Sequence, residues 1–537
     1  MHLKRIVLAL SAALLLAQTP EPRPQRSRLR ADLDFLTSDV LAGRLSLTPQ
    51  ADVAARYIAA EFQKAGLKPV RGDSYLQEFP LVAYRPGARQ LILTRGGQSK
   101  TFHSDEGFIG GFYRDVDIRA AVAFAGYGIT APEYGYDDYA NIDVKGKVVV
   151  IFDHEPQEND PKSIFNGTGH TLHALRWMKL RNARSHGAVA VLIANEPLRT
   201  HGAGGATTRP ARQAGEQADV RRAAPQIARA SAPPQSIDDA DAIPGFSIGD
   251  GLLAELLAPV QQTPAQIQKS IDSDLKPRSQ TLNDMIVALR SENAEQKRGV
   301  SLNAVGLLEG SDPVLKTETV LLMAHYDHLG VQNGMVYRGA NDNASGTAAV
   351  MELARLFAHA SPRPKRSLLF IVFGSEEELM LGSFYYVAHP LRPLESTRAA
   401  LNLDMIGRDE AHIPQSEGVI DIPPDTSNLI NLVGTFYSPD LLAIIRRANT
   451  EVDLQLDTKY DADHTLNTLF RCDHLPFLIA HIPAVWLFGG FHPGYHEPVD
   501  TVEKLNFPKI EKVIALAYRT ALSVAVAQAT PRFLLRE

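Results

Sequence analysis

The chain has 537 residues, 45% hydrophobic and 22% charged, a make-up that excludes a disordered or fibrous protein and leaves room for two domains. Its 61 acidic and 55 basic residues give a formal net charge of -6, too even a balance for a nucleic-acid binder or a polybasic membrane anchor. Its one cysteine, Cys472, precludes an internal disulfide, and the surrounding run RCDHLPF lacks the local signatures of thiol proteases.

At the start, Lys4 and Arg5 precede the apolar run IVLALSAALLLA, and the stretch TPEPRPQRSR comes after it. A run of about 12 residues is too short to span a bilayer. Residues 1–18 therefore read as a secretory signal with the small Ala17 near its cleavage point, and the mature chain is expected to be secreted or periplasmic, with no stable membrane anchor. Ala54, Tyr57, Ile58, Phe62 and Ala65 then fall at helical spacing, which predicts an amphipathic helix over 52–65 stopped by Gly66. Two β-like runs come next at 77–83 and 90–94, and residues 30–115 are assigned to the first part of the main domain.

Residues 116–275 read as an inserted, smaller α/β unit. Its segments are AAVAFAGYGI, KVVVIFD, a helix over 174–186, AVAVLIAN and IPGFSI, separated by turn signals. Within it, 198–241 is rich in Ala, Arg, Gln, Gly and Pro with almost no large apolar residues, and is expected to be a mobile surface loop.

The last part, 276–537, alternates apolar strands with helices: TVLLMAH, a helix over 344–358, SLLFIVF, a helix, AALNLD, a helix over 441–450, and PAVWLF. This alternation predicts an α/β fold with a mixed, largely parallel central sheet and helices on both faces. Ligands in such folds bind outside the carboxyl ends of the strands. The residues just past each strand therefore mark where chemistry is expected. TVLLMAH ends in His325, with Asp327 two residues on; SLLFIVF leads into Glu376, Glu377 and Glu378; AALNLD ends in Asp404; PAVWLF leads to His492 and His496. Asp342 lies in GANDNASG, just ahead of a helix whose N-terminus favours a carboxylate.

Imidazoles and carboxylates gathered at one edge suit zinc. Asp342, Glu377 and Asp404 bring three negative charges against four from two divalent ions, and a bridging hydroxide, the nucleophile such a pair generates, would neutralise the remainder. Of two adjacent glutamates, one can bind metal while its neighbour takes a proton as general base. Asp327 projects to hold the His325 imidazole.

The strings AHYDHLG, GANDNASG, FGSEEELMLGS, LNLDMIG and GYHEPVDT, in this order, resemble metallopeptidase family 28, the two-zinc aminopeptidases related to bacterial leucyl aminopeptidases and glutamate carboxypeptidases. The resemblance implies two Zn2+ per chain: Asp342 bridges them, His325 and Asp404 complete one site, and Glu377 and His496 the other. It also implies Glu376 as general base, Asp327 as orienter, peptide or protein substrates, and a zinc-exopeptidase-like fold. The inserted unit resembles the protease-associated domain that many relatives carry. Three positions depart from the family: Leu379 stands where a glycine is usual, Cys472 where a serine is common, and Leu469 where some members place an oxyanion-supporting tyrosine. Tyr460 and Tyr495 are possible substitutes for the last.

An aminopeptidase is the leading reading. A carboxypeptidase or dipeptidase would need cationic groups for a terminal carboxylate, and no arginine cluster adjoins the motifs. A glutaminyl cyclase uses one zinc, and a non-catalytic peptide-binding relative loses ligands, whereas this chain keeps the full set. His328, His464, His474 and His481 read as structural, His492 as loop structure or a partner of the ligands, and Asp473 and Arg408 as fold-supporting.

Overall fold

A computed structural model describes residues 22–535 except 105–106, 159, 168–169, 199–234, 362, 415 and 464–465. The expected signal at 1–18, most of the expected loop at 198–241, and His464 lie outside the described residues.

Four apolar segments lie side by side in parallel: Ser367–Phe373, Thr319–His325, Thr397–Asp404 and Ala484–Phe488. Side-chain alternation accounts for their continuous hydrophobicity. Val320, Leu322 and Ala324 enter one core, while Leu321 and Met323 enter the core on the opposite face. Helices Pro49–Lys64, Gly346–Ala358 and Phe507–Val526 cover the first face. The shorter Leu381–Ala388 and Leu475–Ile479 lie on the second. The fold is thus mixed α/β with a largely parallel sheet, as the alternation predicts. The first of these helices begins where local chemistry dictates: the Thr48 side chain accepts a hydrogen bond from Ala51 N, and Pro49 occupies the first turn.

The two β-like runs at 77–83 and 90–94 prove to be one strand, Leu76–Arg95, with register shifts on either side of Pro86, which has no N–H for the ladder. It pairs antiparallel with Gln280–Leu308, a strand of 29 residues that the sequence pattern does not reveal. Its middle, SENAEQKRG, is polar and mostly exposed, so it has no apolar pattern to announce it; ladder bonds to the neighbouring strand hold it extended. Two further elements are hidden in polar sequence. Helix Arg26–Leu36 buries Leu29, Leu33 and Leu36 against the first core from within an Arg-rich stretch. Strand Gln235–Ile237, inside the expected loop, pairs through its backbone with Leu81–Ala83.

Gln280–Leu308 carries the sheet onward to Val116–Phe124, Val148–Phe152, Ala190–Ala194 and Gly245–Ile248, within a sheet of 15 strands among the described residues. Val148, Val150 and Phe152 join one separate core there, and Val149 and Ile151 another. Gln280–Leu308 runs antiparallel to Ser367–Phe373 and to Val116–Phe124 as well. Those two strands pair with separate stretches of it, residues 304–308 and 280–291, so the carboxyl ends of Ser367–Phe373, Thr319–His325, Thr397–Asp404 and Ala484–Phe488 form an edge of their own.

Candidate metal centre

That edge collects the acidic and imidazole side chains. His325 and Asp404 close their strands, Glu376 and Glu377 come after Phe373, and His496 lies in the loop after Phe488. Asp342 sits on the irregular turn Ala340–Ser345 ahead of helix Gly346–Ala358. Gly339 opens this turn at φ 55, where a Cβ would strike the Asp342 carbonyl and the His328 ring. Only glycine fits there.

The five residues assigned as ligands from the sequence come together, all buried. His325 Nε2 lies 3.5 Å from Asp342 Oδ1 and 3.5 Å from Asp404 Oδ1. His496 Nε2 lies 3.1 Å from Asp342 Oδ2 and 3.2 Å from Glu377 Oε2. Donor atoms about 2.0–2.1 Å from a tetrahedral zinc stand about 3.3 Å apart, so both sets have the spacing of a metal's ligands. His325 Nε2 and Asp404 Oδ1 make no hydrogen bond, an arrangement that is costly unless a cation satisfies them. The Asp342 carboxylate belongs to both sets.

His328, read from the sequence as structural, also enters. Its Nδ1 is 2.7 Å from Glu377 Oε1 and 4.0 Å from Asp342 Oδ2, and with those two residues it forms a cluster of metal-ligating character. The signal is present in AHYDHLG, but His328 lies three residues beyond the strand end, and alternation alone does not say where it turns.

Glu376 faces the same space, with Oε2 3.7 Å from His325 Nε2. Burial raises it well above the usual carboxylate range, and Asp473, Glu377 and Asp404 add to this against the pull of His325. Asp327 does more than the orientation expected of it. Its carboxylate is 3.7 Å from His325 Nδ1, while its backbone oxygen is closer, at 3.3 Å. The carboxylate accepts hydrogen bonds from the backbone N–H of Glu376 at 3.0 Å and of Glu377 at 3.2 Å, and so fixes where the two glutamates leave the chain.

Two supporting residues go unassigned in the sequence, although one of them, Asp500, stands within GYHEPVDT. Asp500 accepts hydrogen bonds from Asn341 N at 2.8 Å and Asp342 N at 3.1 Å. Arg44, wholly buried, donates to the carbonyls of Tyr326, Leu36, Arg338 and Gly339, thereby clamping both segments that carry His325 and Asp342. Burial lowers its guanidinium to about 10, with Asp327, Asp342, Asp500 and Glu377 opposing. Arg408, read as fold-supporting, has Nη1 3.9 Å from Asp500 Oδ1. Burial pushes Asp473 up to about 7. His492 is enclosed by the Asn341 side chain, 3.0 Å from its Nε2, and by Gly494 N–H, which donates to its Nδ1.

The three departures from the family pattern acquire physical content. Leu379 adopts φ 72 and is 62% exposed, so it bears left-handed strain with little packing in return. Left-handed backbone costs about 1–2 kcal/mol for such a residue, and glycine gives back part of that through the unfolded chain. Leu379→Gly is expected to stabilise the fold by about 0.5–1 kcal/mol. Denaturant melts check this, and an unchanged or lowered midpoint contradicts it.

Cys472 donates through Sγ to Asp404 Oδ2 at 2.9 Å and accepts from Asn402 Nδ2 at 2.8 Å. Burial holds its thiol well above the usual range. The folded protein is therefore expected to be inert to an aromatic disulfide reagent, and to release one equivalent once unfolded in denaturant. Rapid reaction of the native protein would contradict this burial. Of the two tyrosines considered in place of Leu469, Tyr460 is fully buried with its hydroxyl donating to Glu410 Oε1 at 2.6 Å. Tyr495 stacks on His496 with ring centroids 3.9 Å apart.

Parts of the chain match known proteins. Residues 303–521 match peptidase family M28. The chain is 25% identical over 224 residues to Aminopeptidase YwaD of Bacillus subtilis (strain 168), covering 40% of this chain and 42% of that protein. It is 30% identical over 189 residues to Leupeptin-inactivating enzyme 1 of Streptomyces exfoliatus, covering 35% and 36%. In both cases it spans less than half of the relative's length. Among solved structures, an aminopeptidase from Aneurinibacillus sp. strain AM-1 aligns over 96% of this chain and 97% of its own, at 20% identity and a TM-score of 0.46.

Proposed function

We propose, because residues 303–521 match peptidase family M28, that this protein is an exported aminopeptidase with two zinc ions per chain, and that His325, Asp342, Glu377, Asp404 and His496 hold them. One observation carries the reading: two sets of buried donors share the Asp342 carboxylate, with Glu376 alongside. Zinc, when bound, supplies a Lewis acid for the scissile carbonyl and activates water near neutral pH. The chain's own groups do the rest. Glu376 takes the proton of the attacking water and passes it to the leaving amine. Asp327 keeps Glu376 and Glu377 in place through their N–H groups, and Asp500 does the same for Asp342. Acidic groups around the centre hold a free α-ammonium, and Tyr495 is the tyrosine that flanks it.

A relative named as an aminopeptidase supports an exopeptidase. Arg408, turned to Asp500, gives no support to a carboxypeptidase. Export rests on Lys4, Arg5 and the apolar run after them; no helix among the described residues is long and apolar enough to cross a membrane. The unit over 116–275 is read as a protease-associated domain that borders the substrate.

The test is hydrolysis of amino-acyl amides, N-acetylated amides and C-terminally free dipeptides by metal-stripped protein, before and after zinc is restored. Zinc-dependent cleavage confined to free-amine substrates is expected. Cleavage of the acetylated amides at equal rates would sink the aminopeptidase reading, and zinc uptake without any cleavage would favour a peptide-binding protein.

A further inference from the structure

A second group of buried ligand side chains lies outside the peptidase centre. Strands Val148–Phe152 and Ala190–Ala194 run in parallel, with Phe152 opposite Ala194. Two residues beyond each strand stand His154 and Glu196, so the register alone sets an imidazole beside a carboxylate. His154 Nδ1 is 2.6 Å from Glu196 Oε1 and 3.2 Å from Glu158 Oε2, and His170 Nε2 is 3.4 Å from Glu158 Oε1. The two imidazoles stack with centroids 5.1 Å apart. All four residues are buried.

We propose that His154, Glu158, His170 and Glu196 form a further binding site for a divalent, borderline-soft cation such as zinc, separate from the peptidase centre.

Four observations carry this. Three of the residues, His154, Glu158 and His170, bring donor atoms within 4.8 Å of one another. Glu196 Oε2 is buried without a hydrogen-bond partner, although Glu196 itself is only 3% exposed. His170 Nδ1 lies 2.9 Å from Asn467 Oδ1, an acceptor that fixes the ring proton there and leaves the lone pair of Nε2 facing Glu158. Finally, a cavity of about 430 Å³ opens onto Glu158 and Glu196 and is lined also by Gln157, Asp160, Gln268 and Asp272, an acidic approach for a cation.

The charges agree. Nearby Asp153 is neutralised by Arg176 at 2.6 Å, and Glu155 is occupied by Thr171. Glu158 and Glu196 bring two negative charges to the cluster itself, which one divalent ion cancels with both imidazoles neutral, while Glu155, hydrogen-bonded by Thr171, keeps its own. The chemistry selects among ions: two nitrogens and carboxylate oxygens suit zinc and its neighbours, whereas calcium and magnesium prefer oxygen alone. Tetrahedral donors stand about 3.3 Å apart, so the contacts at Glu158 already match and only Glu196 needs to draw back. Asn467 belongs to the peptidase part of the chain, so an ion here also braces the inserted unit against it.

The experiment uses the full chain, stripped and dialysed against zinc, with bound metal counted by mass spectrometry and crystals examined at the zinc absorption edge. The expected result is one zinc fewer in His154→Gln than in the parent, with unchanged loading of the peptidase centre, and an anomalous peak between His154 and His170. Equal zinc in parent and variant, or an empty position between these rings in a parent crystal whose peptidase centre is loaded, would overturn the proposal. Should His154→Gln fail to fold, His170→Asn and the parent's anomalous map decide. Neither readout uses turnover, so the outcome is independent of the proposed peptidase activity.

Discussion

Replacing Glu376 with Gln is expected to lower turnover about 10³-fold while bound zinc stays at the parent level. The side chain is 10% exposed, and its Oε2 reaches to 3.7 Å from His325 Nε2 without belonging to either set of close donors. Its backbone N–H is held by Asp327, so an amide of the same shape occupies the same place. What the amide lacks is the capacity to take a proton from water and pass it on. Metal content and activity therefore separate in this variant. Turnover within about tenfold of the parent would remove Glu376 from the proposed role, and joint loss of zinc and activity would make it a ligand instead.

Asp342→Asn is expected to have the opposite signature, in which metal and activity fall together. Asp342 is the one carboxylate that meets both His325, at 3.5 Å, and His496, at 3.1 Å. Its backbone N–H donates to Asp500, so the turn itself survives the substitution. If two divalent cations are held as proposed, removing this charge would leave Glu377 and Asp404 as their nearest anions and their mutual repulsion less well offset. Fewer than two zinc ions per chain should remain after dialysis, with turnover at least as low as that of the Glu376 variant. Full zinc loading in Asp342→Asn would show that the two sets do not depend on a shared carboxylate.

Much of the centre is legible in the chain because of a simple geometric fact. Parallel strands put their carboxyl ends at one edge, and apolar runs such as TVLLMAH and AALNLD mark those ends by where they stop. His325, Asp404 and the Glu376–Glu377 pair are placed directly by that rule, and Asp342 by its position before a helix. Residues that act through backbone atoms are not legible. Arg44 satisfies four carbonyls and Asp500 two N–H groups, and neither contact leaves a periodic trace. The same holds for strand Gln280–Leu308, whose polar middle is extended only because Leu76–Arg95 pairs with it.

By itself, then, the sequence determined the class of fold, the parallel core and which side chains terminate its strands, since burial of both faces demands uninterrupted apolar runs and ends them where imidazoles and carboxylates begin. Only the tertiary structure decided that His328 turns back onto Glu377, that Asp327 grips two amides, and that His154, Glu158, His170 and Glu196 meet. Those contacts join residues whose separation in the chain carries no period, and they exist only once strand register and loop paths have been set by packing elsewhere.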